Sequence, residues 1–376
     1  MKKSLYMTTA LAAAGVLAFG ATDVIAAEKK APKRPDPMSI SGGGFYDVTF
    51  GISENSGSYE STNSGTSRTH YDAFDVKTDS EIYFKGNTTL DSGVKVDVTI
   101  QMETDEGSST NVDHAYIALG LPKAGTIGLG AKGHGSPATT GAPCIGAVCP
   151  GPDVSYWISK PAATALLTGT TIGAGDKIKV TYSSEDYSGL TFGGSYTPND
   201  SVAGSGAMPL VGGTTGTNKQ VYDAGVKYKT DMGASTVTVD FGYWEQHGNA
   251  AGSFRAWRTG GSLVVGDVTV GASYKNVSDT DSANANTNDT KAYDVGIQYA
   301  AGDAKFSIKF ANQVSPMTST AGDDEATMIA LGTSYNIGNG VDFVASVVHA
   351  DWDDETTTAA NNNDGWAIVG GIQVDF

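Results

Sequence analysis

After its N-terminal segment, the sequence has no apolar run long enough for a membrane-spanning helix, which needs about 20 residues. Proline is scarce after residue 161, whereas glycine is abundant, with 49 residues, and threonine and tyrosine are common. Glycine weakens helices, while threonine and tyrosine favour strands, so long helices are not expected. Any part of the mature chain that crosses a membrane must therefore cross it as strands.

Basic residues are also few, with 24 lysines and arginines against 41 aspartates and glutamates. Removal of residues 1–26 takes away Lys2, Lys3 and Asp23, which leaves 22 basic and 40 acidic residues and a net charge of −18. Nucleic-acid binding needs lysines and arginines for the phosphates. The composition therefore argues against a nucleic-acid partner.

The N-terminus has the layout of a secretory signal peptide. Lys2 and Lys3 precede an apolar run over residues 5–20, and small residues follow around Ala26. A membrane anchor is the alternative interpretation, but the run is short for a span. We expect residues 1–26 to be a cleavable signal peptide and the charged, proline-rich residues 27–38 to be a periplasmic linker.

From about residue 39 onward, apolar and polar residues alternate in segment after segment, as they do over residues 94–103. Side chains of a strand point alternately to its two faces, so each segment has one apolar and one polar face. Each segment has about the nine to eleven residues that a tilted membrane strand needs. Sixteen strands are predicted, near residues 39–52, 79–90, 94–104, 111–120, 125–133, 175–184, 189–198, 220–230, 234–246, 255–265, 267–276, 289–300, 303–312, 326–335, 341–350 and 365–376.

The connections alternate between tight glycine-containing turns, such as residues 91–93 and 301–303, and longer polar stretches. A soluble sandwich would have shorter strands, and a solenoid would show a fixed-period repeat. In lipid, only a closed barrel pairs every strand edge. We therefore expect an all-β fold, a transmembrane antiparallel β-barrel of about sixteen strands over residues 39–376, which leaves an aqueous channel.

Four segments and the signal peptide carry a family resemblance: residues 44–51 (GFYDVTFG), 82–86 (IYFKG), 91–96 (DSGVKV) and 371–376 (GIQVDF). In these features the chain resembles the general porins of Gram-negative bacteria, most closely their alphaproteobacterial branch. The terminal Phe376, with Ile372 and Val374 at alternate positions, is similar to the signal that barrel-assembly machinery reads. The resemblance implies a homotrimer whose third long connection, here residues 134–174, folds into the pore and narrows it.

The resemblance also implies a constriction in which acidic loop residues face a basic cluster on the wall. The residues of this chain predicted to line it are Asp153 and Lys160 on the loop and Lys85, Lys95, Lys132, Asp97 and Glu81 on the wall. Opposed charges across a narrow pore set up a transverse field, which we expect to be weak because the loop has few acids.

Two further features concern the packing of the long connection. Tyr156 and Trp157 either line the constriction or bury the loop against the wall. On the preceding strand, the small inward residues Thr126, Gly128 and Gly130 are expected to leave room for the infolded loop.

The two cysteines, Cys144 and Cys149, are expected to form a disulfide because the periplasm is oxidising. Zinc binding is disfavoured, since a structural zinc site needs four ligands.

Clusters of acidic residues mark two of the predicted loop tips, and they contain Asp323, Asp324, Asp353 and Asp354. One interpretation is solvated charge. The other is divalent-cation binding, with Ca²⁺ as the candidate, that bridges loops or lipopolysaccharide. No other cofactor is expected.

These observations predict a passive, water-filled channel for small hydrophilic solutes and ions in the outer membrane, embedded in lipid and lipopolysaccharide. The net charge of −18 suggests a mild preference for cations. Scattered histidines and the lack of a GxSxG motif argue against an enzyme. The alternatives are a solute-specific channel and a plugged barrel that acts as a surface adhesin or structural protein.

Overall fold

The computed structural model describes residues 38–62, 71–105, 112–162, 170–199, 219–248, 253–279, 289–315 and 322–376. The predicted signal peptide, and the predicted linker apart from Met38, lie outside the described residues. Within these ranges there are three short helices, an α-helix at Gly57–Thr62 and 3₁₀ helices at Pro152–Tyr156 and Ala359–Asn361. Among the described residues, no helix has both the length and the apolar character needed to cross a membrane.

The described residues form sixteen strands, which confirms the predicted number. The largest shift of a boundary is at the second strand, predicted from residue 79 and observed from Phe74. The strands are β1 Ser39–Asn55, β2 Phe74–Thr89, β3 Lys95–Glu103, β4 His114–Leu121, β5 Gly125–Lys132, β6 Lys177–Ser183, β7 Leu190–Thr197, β8 Lys219–Met232, β9 Ser235–Gly248, β10 Phe254–Val265, β11 Val268–Asp279, β12 Thr290–Ala301, β13 Ala304–Ser315, β14 Asp324–Gly338, β15 Val341–Asp353 and β16 Asn363–Asp375.

All sixteen strands belong to one closed antiparallel barrel in which each pairs with its neighbours in sequence. The barrel closes between the first and last strands, where Phe45 lies opposite Asp375. The terminal Phe376 completes this seam, because its N–H donates to Gly44 O at 3.0 Å and its carbonyl accepts from Gly44 N at 2.9 Å. No strand edge is left unpaired among the described residues, as lipid requires.

The outer face of the barrel is apolar, as the alternation predicts. On β9, Val239, Phe241 and Tyr243 are exposed, whereas Asp240 and Gly242 between them are buried on the inner side. The same pattern recurs around the barrel. Exposed apolar side chains on a closed barrel are the surface that a lipid bilayer covers.

Short turns join the strands at one end of the barrel, here termed the turn rim, and the longer connections lie at the other end, the loop rim. Gly93, Gly233, Gly266 and Gly302 stand in the short turns with positive φ, between 56° and 84°. Glycine reaches this backbone region without the steric cost that other residues carry.

The inner face is not polar throughout, which corrects the expectation of one polar face on every strand. On β13–β16 the inward residues build an apolar cluster with part of the long connection. The wall residues of this cluster are Ala311, Ala326, Met328, Ala330, Val348, Ala350, Trp352, Ala367 and Val369. These strands are apolar on both faces because the loop covers one face and lipid the other.

Candidate functional site

The connection between β5 and β6 folds inward from the loop rim and runs along the inner wall; its residues 134–162 are termed the inner loop. Its contacts follow the strand order. Gly135 meets β7, Thr140 meets β9 and β10, Ile145 meets β13 and β14, and Ser159 meets β1. The inner loop therefore lines the wall from β7 round to β1 and leaves most of β2–β6 facing the lumen.

Wall side chains on six strands hold the inner loop by accepting hydrogen bonds from its backbone N–H groups. The donor–acceptor pairs are Ser136–Asp223 (2.7 Å), Thr140–Asp240 (2.5 Å), Ala142–Asp294 (2.9 Å), Ile145–Ser307 (2.8 Å), Val148–Ser346 (3.0 Å) and Ser159–Asn55 (2.9 Å). A loop packed against a wall would otherwise bury these N–H groups without partners. The six acceptors therefore fix the position of the loop as well as its direction.

Inward glycines between these acceptors let the loop backbone touch the wall. A Cβ at Gly260 would lie 1.8 Å from Thr140 O, and one at Gly332 would lie 1.7 Å from Ile145 O, although real Cβ contacts stay above 3.0 Å. No side chain fits at these positions unless the loop moves. Seven inward glycines of β7–β14 contact the inner loop and are termed the glycine track: Gly193, Gly225, Gly242, Gly260, Gly271, Gly296 and Gly332.

One anchor of the inner loop is a buried ion pair. Arg258 Nη1 lies 3.1 Å from Asp240 Oδ1, and the two side chains are 1 % and 0 % exposed. Asp240 also accepts the N–H of Thr140, while Arg258 Nη2 donates to the carbonyl of the same residue. Because each charge has a hydrogen-bonded partner, the pair tolerates its removal from water.

The second half of the inner loop packs through apolar side chains. Val154, Trp157 and Ile158 join the apolar cluster of β13–β16, and a Cβ at Gly51 would meet the Trp157 ring at 3.0 Å. Trp157 therefore buries the loop against the wall, whereas Tyr156 is 67 % exposed. Cys144 and Cys149 form a disulfide in the part of the loop near β13–β15.

The uncovered wall is rich in acidic groups near the loop rim. Carboxylate oxygens of Glu81, Glu103 and Asp113 lie within 4.8 Å of one another, and His114 Nε2 shares a hydrogen bond with Asp176. Burial raises the pKa of Asp113, and the charge of Asp176 raises it further. Acidic groups therefore cluster on this side of the barrel, beside β2–β4.

The two predicted loop residues of the constriction both lie on the inner loop. Asp153 is exposed and interacts electrostatically with Asp79 of the uncovered wall. Lys160 donates from Nζ to Pro161 O at 2.6 Å, and burial lowers its pKa, an effect that the charge of Asp324 opposes. Of these two residues, Asp153 is therefore the one that lies near the acidic residues of the uncovered wall.

The five predicted wall residues occupy inward strand positions but lie at different heights: Lys85, Lys95 and Asp97 near the turn rim, Glu81 and Lys132 nearer the loop rim. Lys85 Nζ lies 4.1 Å from the Tyr83 ring centroid, and Lys132 Nζ lies 5.1 Å from that of Tyr116. Among the described residues, no hydrogen bond or ion pair joins any of the five to the inner loop. Their role in a constriction stays a prediction.

The interpretation that small residues of β5 make room for the loop is wrong. A Cβ at Gly128 would meet Thr181 Oγ1, and one at Gly130 would meet Ala115 O, and both of these atoms belong to neighbouring strands rather than to the loop. The loop turns the other way and lies over the glycine track. A signal for this was present in the sequence as a repeated inward Asp-x-Gly at residues 223–225, 240–242 and 294–296.

A closed barrel with an apolar outer face and one long loop laid along its inner wall defines a membrane channel of the porin class. A family model of the Gram-negative porins matches residues 8–355, and the chain therefore belongs to that family. No protein of curated function matches the sequence significantly.

Solved structures of porins share the fold. OmpT of Vibrio cholerae in its trimer form superposes with a TM-score of 0.61 at 13 % identity, over 91 % of this chain and 100 % of that one. An anion-selective porin from Comamonas acidovorans gives 0.58 at 15 % identity, over 90 % and 100 %. A mutant porin of Rh. blastica gives 0.55 at 17 % identity, over 90 % and 100 %. Family and fold together make this chain an outer-membrane porin channel and point away from an enzyme.

Proposed function

We propose that this porin is a passive channel for small hydrophilic solutes and ions, with a mild preference for cations. The observation that carries the proposal is the one-sided course of the inner loop, which lines the wall from β7 to β1 and leaves β2–β6 facing the lumen. A plugged barrel needs a segment across the middle, and the described contacts of the inner loop are with the wall. The arrangement therefore favours an open channel.

Unspecific diffusion is favoured over a solute-specific channel by the placement of aromatic side chains. A specific channel for sugars would be expected to have stacked aromatic residues along the lumen. The stacked pairs between barrel strands that the structure describes are Tyr196–Tyr222 and Phe241–Trp257, and their strand positions face outward. The inward rings of Tyr83 and Tyr116 lie beside Lys85 and Lys132 instead.

The preference for cations rests on the acidic wall. Glu81, Glu103 and Asp113 lie together beside the lumen, and Asp153 of the inner loop approaches the same side. Fixed negative charge in a narrow aqueous pore concentrates cations and repels anions. Lysines also face the lumen, so we expect the preference to be mild.

Liposome swelling with sugars of graded size tests the channel proposal. The expected result is a swelling rate that falls smoothly with sugar size and does not saturate with concentration. Saturable uptake of one sugar would instead support the solute-specific channel. Failure of the folded protein to mediate any swelling would support the plugged barrel and refute the proposal.

Reversal potentials in a salt gradient across planar bilayers test the selectivity. We expect a cation preference that decreases in Glu81→Gln and Glu103→Gln, while neutralising Lys85 or Lys95 alters conductance. Asp353→Asn is the matched control, since Asp353 stands at an exposed position next to the loop rim. Anion preference of the wild type, or an equal effect of the control, would contradict the assignment of the lumen.

Two further properties are part of this proposal. A homotrimer in lipid and lipopolysaccharide is supported by the likeness to the trimer form of OmpT, and export is supported by the layout of residues 1–26. The mass of the protein in detergent tests the first property. N-terminal sequencing of the mature protein tests the second, with a start near residue 27 as the expected result.

A further inference from the structure

Three carboxylates meet at the loop rim where β14 begins and β15 ends. The strand register places Glu325 opposite Asp353, so Asp324 and Asp354 come together just beyond that pair. One carboxylate oxygen from each of Asp324, Asp354 and Glu355 lies within 4.8 Å of the other two. These three residues are termed the rim carboxylates.

Three oxygen atoms of the rim carboxylates are buried without a hydrogen-bond partner among the described residues. Asp324 is 0 % exposed, and neither of its carboxylate oxygens has a hydrogen-bond partner among the described residues. Oδ1 of Asp354 is also buried and has no such partner. Burying a carboxylate costs several kcal/mol unless a donor or cation compensates, so such oxygens are normally paired. Their convergence points to a positively charged ligand between them.

Hydrogen bonds from the loop after β15 fix the orientation of the Asp354 side chain. Its Oδ2 accepts hydrogen bonds from Asn361 Nδ2 at 2.8 Å, from Thr356 N at 3.3 Å and from the Thr356 hydroxyl. They occupy one oxygen only, and the unpartnered Oδ1 is the atom left for a cation.

We propose that Asp324, Asp354 and Glu355 bind a divalent cation, with Ca²⁺ as the fitting ion, which joins the loop after β15 to the start of β14. Two oxygens that each lie about 2.4 Å from one Ca²⁺ are at most about 4.8 Å apart, and no two of the three oxygens are farther apart than this. Ca²⁺ takes six to eight oxygens in flexible geometry, so three carboxylates and water complete its shell. Mg²⁺ demands a stricter octahedron and gives up its water reluctantly, and is therefore expected to bind more weakly.

The proposal keeps two of the four residues that the sequence suggested as calcium ligands. Of the four aspartates predicted as weak calcium ligands, Asp324 and Asp354 belong to the rim carboxylates, whereas Asp323 and Asp353 are exposed and outside the group. Glu355 belongs to the same acidic loop tip as Asp354 and supplies the third ligand. Asp323 and Asp353 therefore serve as matched controls of the same residue type.

Two other ways of offsetting the negative charge have to be distinguished from a metal. Lys160 of the inner loop acts electrostatically on Asp324, and a proton shared between Asp324 and a neighbouring carboxylate would lower the local charge. Both alternatives leave the site without affinity for calcium. Direct binding measurements therefore separate them from the proposal.

The test is calorimetric titration of the folded full-length protein in detergent with CaCl₂ after removal of metals by EDTA. We expect saturable binding of one Ca²⁺ per chain, at least about tenfold weaker in Asp324→Asn and Asp354→Asn. Asp323→Asn and Asp353→Asn are expected to bind like the wild type. Calcium should also raise the thermal unfolding midpoint of the wild type and of both controls, but not that of Asp324→Asn.

Several outcomes would overturn the proposal. Absence of calcium binding by the wild type at millimolar concentration is one, and unchanged affinity in Asp324→Asn is another. An Asp324→Asn protein that is more stable than the wild type, together with a wild type indifferent to calcium, would assign the site to a shared proton or to Lys160. If Asp324→Asn does not fold, Glu355→Gln answers the same question. None of these readouts depends on conductance, so they stand or fall separately from the channel function.

Discussion

Two adjacent glycines of β10 allow a direct test of the glycine track. A Cβ at Gly260 would lie 1.8 Å from Thr140 O, whereas the nearest atom to a Cβ at Gly261 is 3.6 Å away. In Gly260→Ala the Thr140 carbonyl must therefore retreat by at least 1.2 Å to restore a 3.0 Å contact. This movement breaks the bond from Arg258 and stretches the bond between Thr140 N and Asp240, so we expect a loss of about 2–4 kcal/mol. Gly261→Ala is expected to be neutral within about 0.5 kcal/mol.

The free energy of unfolding can be measured by guanidinium titration of both variants in lipid vesicles, and the loop can be followed by single-channel conductance. Gly260→Ala should unfold at lower denaturant and show an altered, noisier conductance, because the inner loop is no longer held to the wall. Gly261→Ala should match the wild type in both respects. If the two variants were equally stable and conducted alike, the close contact between loop and wall would not exist. The glycine track would then not be a contact surface for the inner loop.

Three further predictions concern the buried ion pair, the disulfide and the acidic group near the loop rim. Asp240→Asn removes the hydrogen-bonded counter-charge of the buried Arg258 and should lower the free energy of unfolding by about 3–5 kcal/mol in the same titration; an unchanged midpoint would contradict the buried ion pair. Replacing both Cys144 and Cys149 by serine should cost about 1–2 kcal/mol, because the loop that the disulfide closes is short; a clearly larger loss, or none under oxidising conditions, would contradict this expectation. Lowering the pH from 7 should reduce the cation preference at a higher pH than an ordinary aspartate would allow, because the pKa of Asp113 is raised, and Asp113→Asn should remove that part of the change in reversal potential. A raised folded-state pKa also means that the stabilising contribution of Asp113 is present at low pH and is lost as the pH rises through that pKa.

The barrel itself could be predicted because lipid imposes a simple rule on every strand. Residues such as Val98 and Ile100 alternate with Asp97 and Thr99. This period of two predicts both that the segment is a strand and which of its faces points outward. Tight turns with glycine, as at Gly93 and Gly302, then mark the strand ends. Strand boundaries shifted by a few residues because pairing continues beyond the bilayer into polar sequence, as it does at the start of β2.

The course of the inner loop could not be predicted from the same rule, because it depends on contacts between residues about 90 to 200 positions apart. The glycines of the track look like ordinary strand glycines when each is considered alone. All of these glycines lie at inward positions, and Asp223, Asp240 and Asp294 precede three of them by two residues. Only this shared pattern indicates a surface against which the backbone of another segment can pack. The apolar inner face was recognisable in principle from β15, where Val347 faces outward and its neighbour Val348 faces inward, so that both faces of the strand are apolar.

The position of each acid limits what the net charge can say about selectivity. Asp223, Asp240 and Asp294 are buried beneath the inner loop, where they accept its N–H groups, and Asp240 and Asp294 also lie near Arg258 and Lys309 respectively. Charges used in this way fix the loop and contribute little to the field in the water. We expect the potential that an ion meets to be set instead by the acids of the uncovered wall, since charges beside the aqueous pore act on it directly. Under the proposed function, substitutions of acids on β2–β4 are therefore expected to change selectivity without disturbing the anchors of the inner loop.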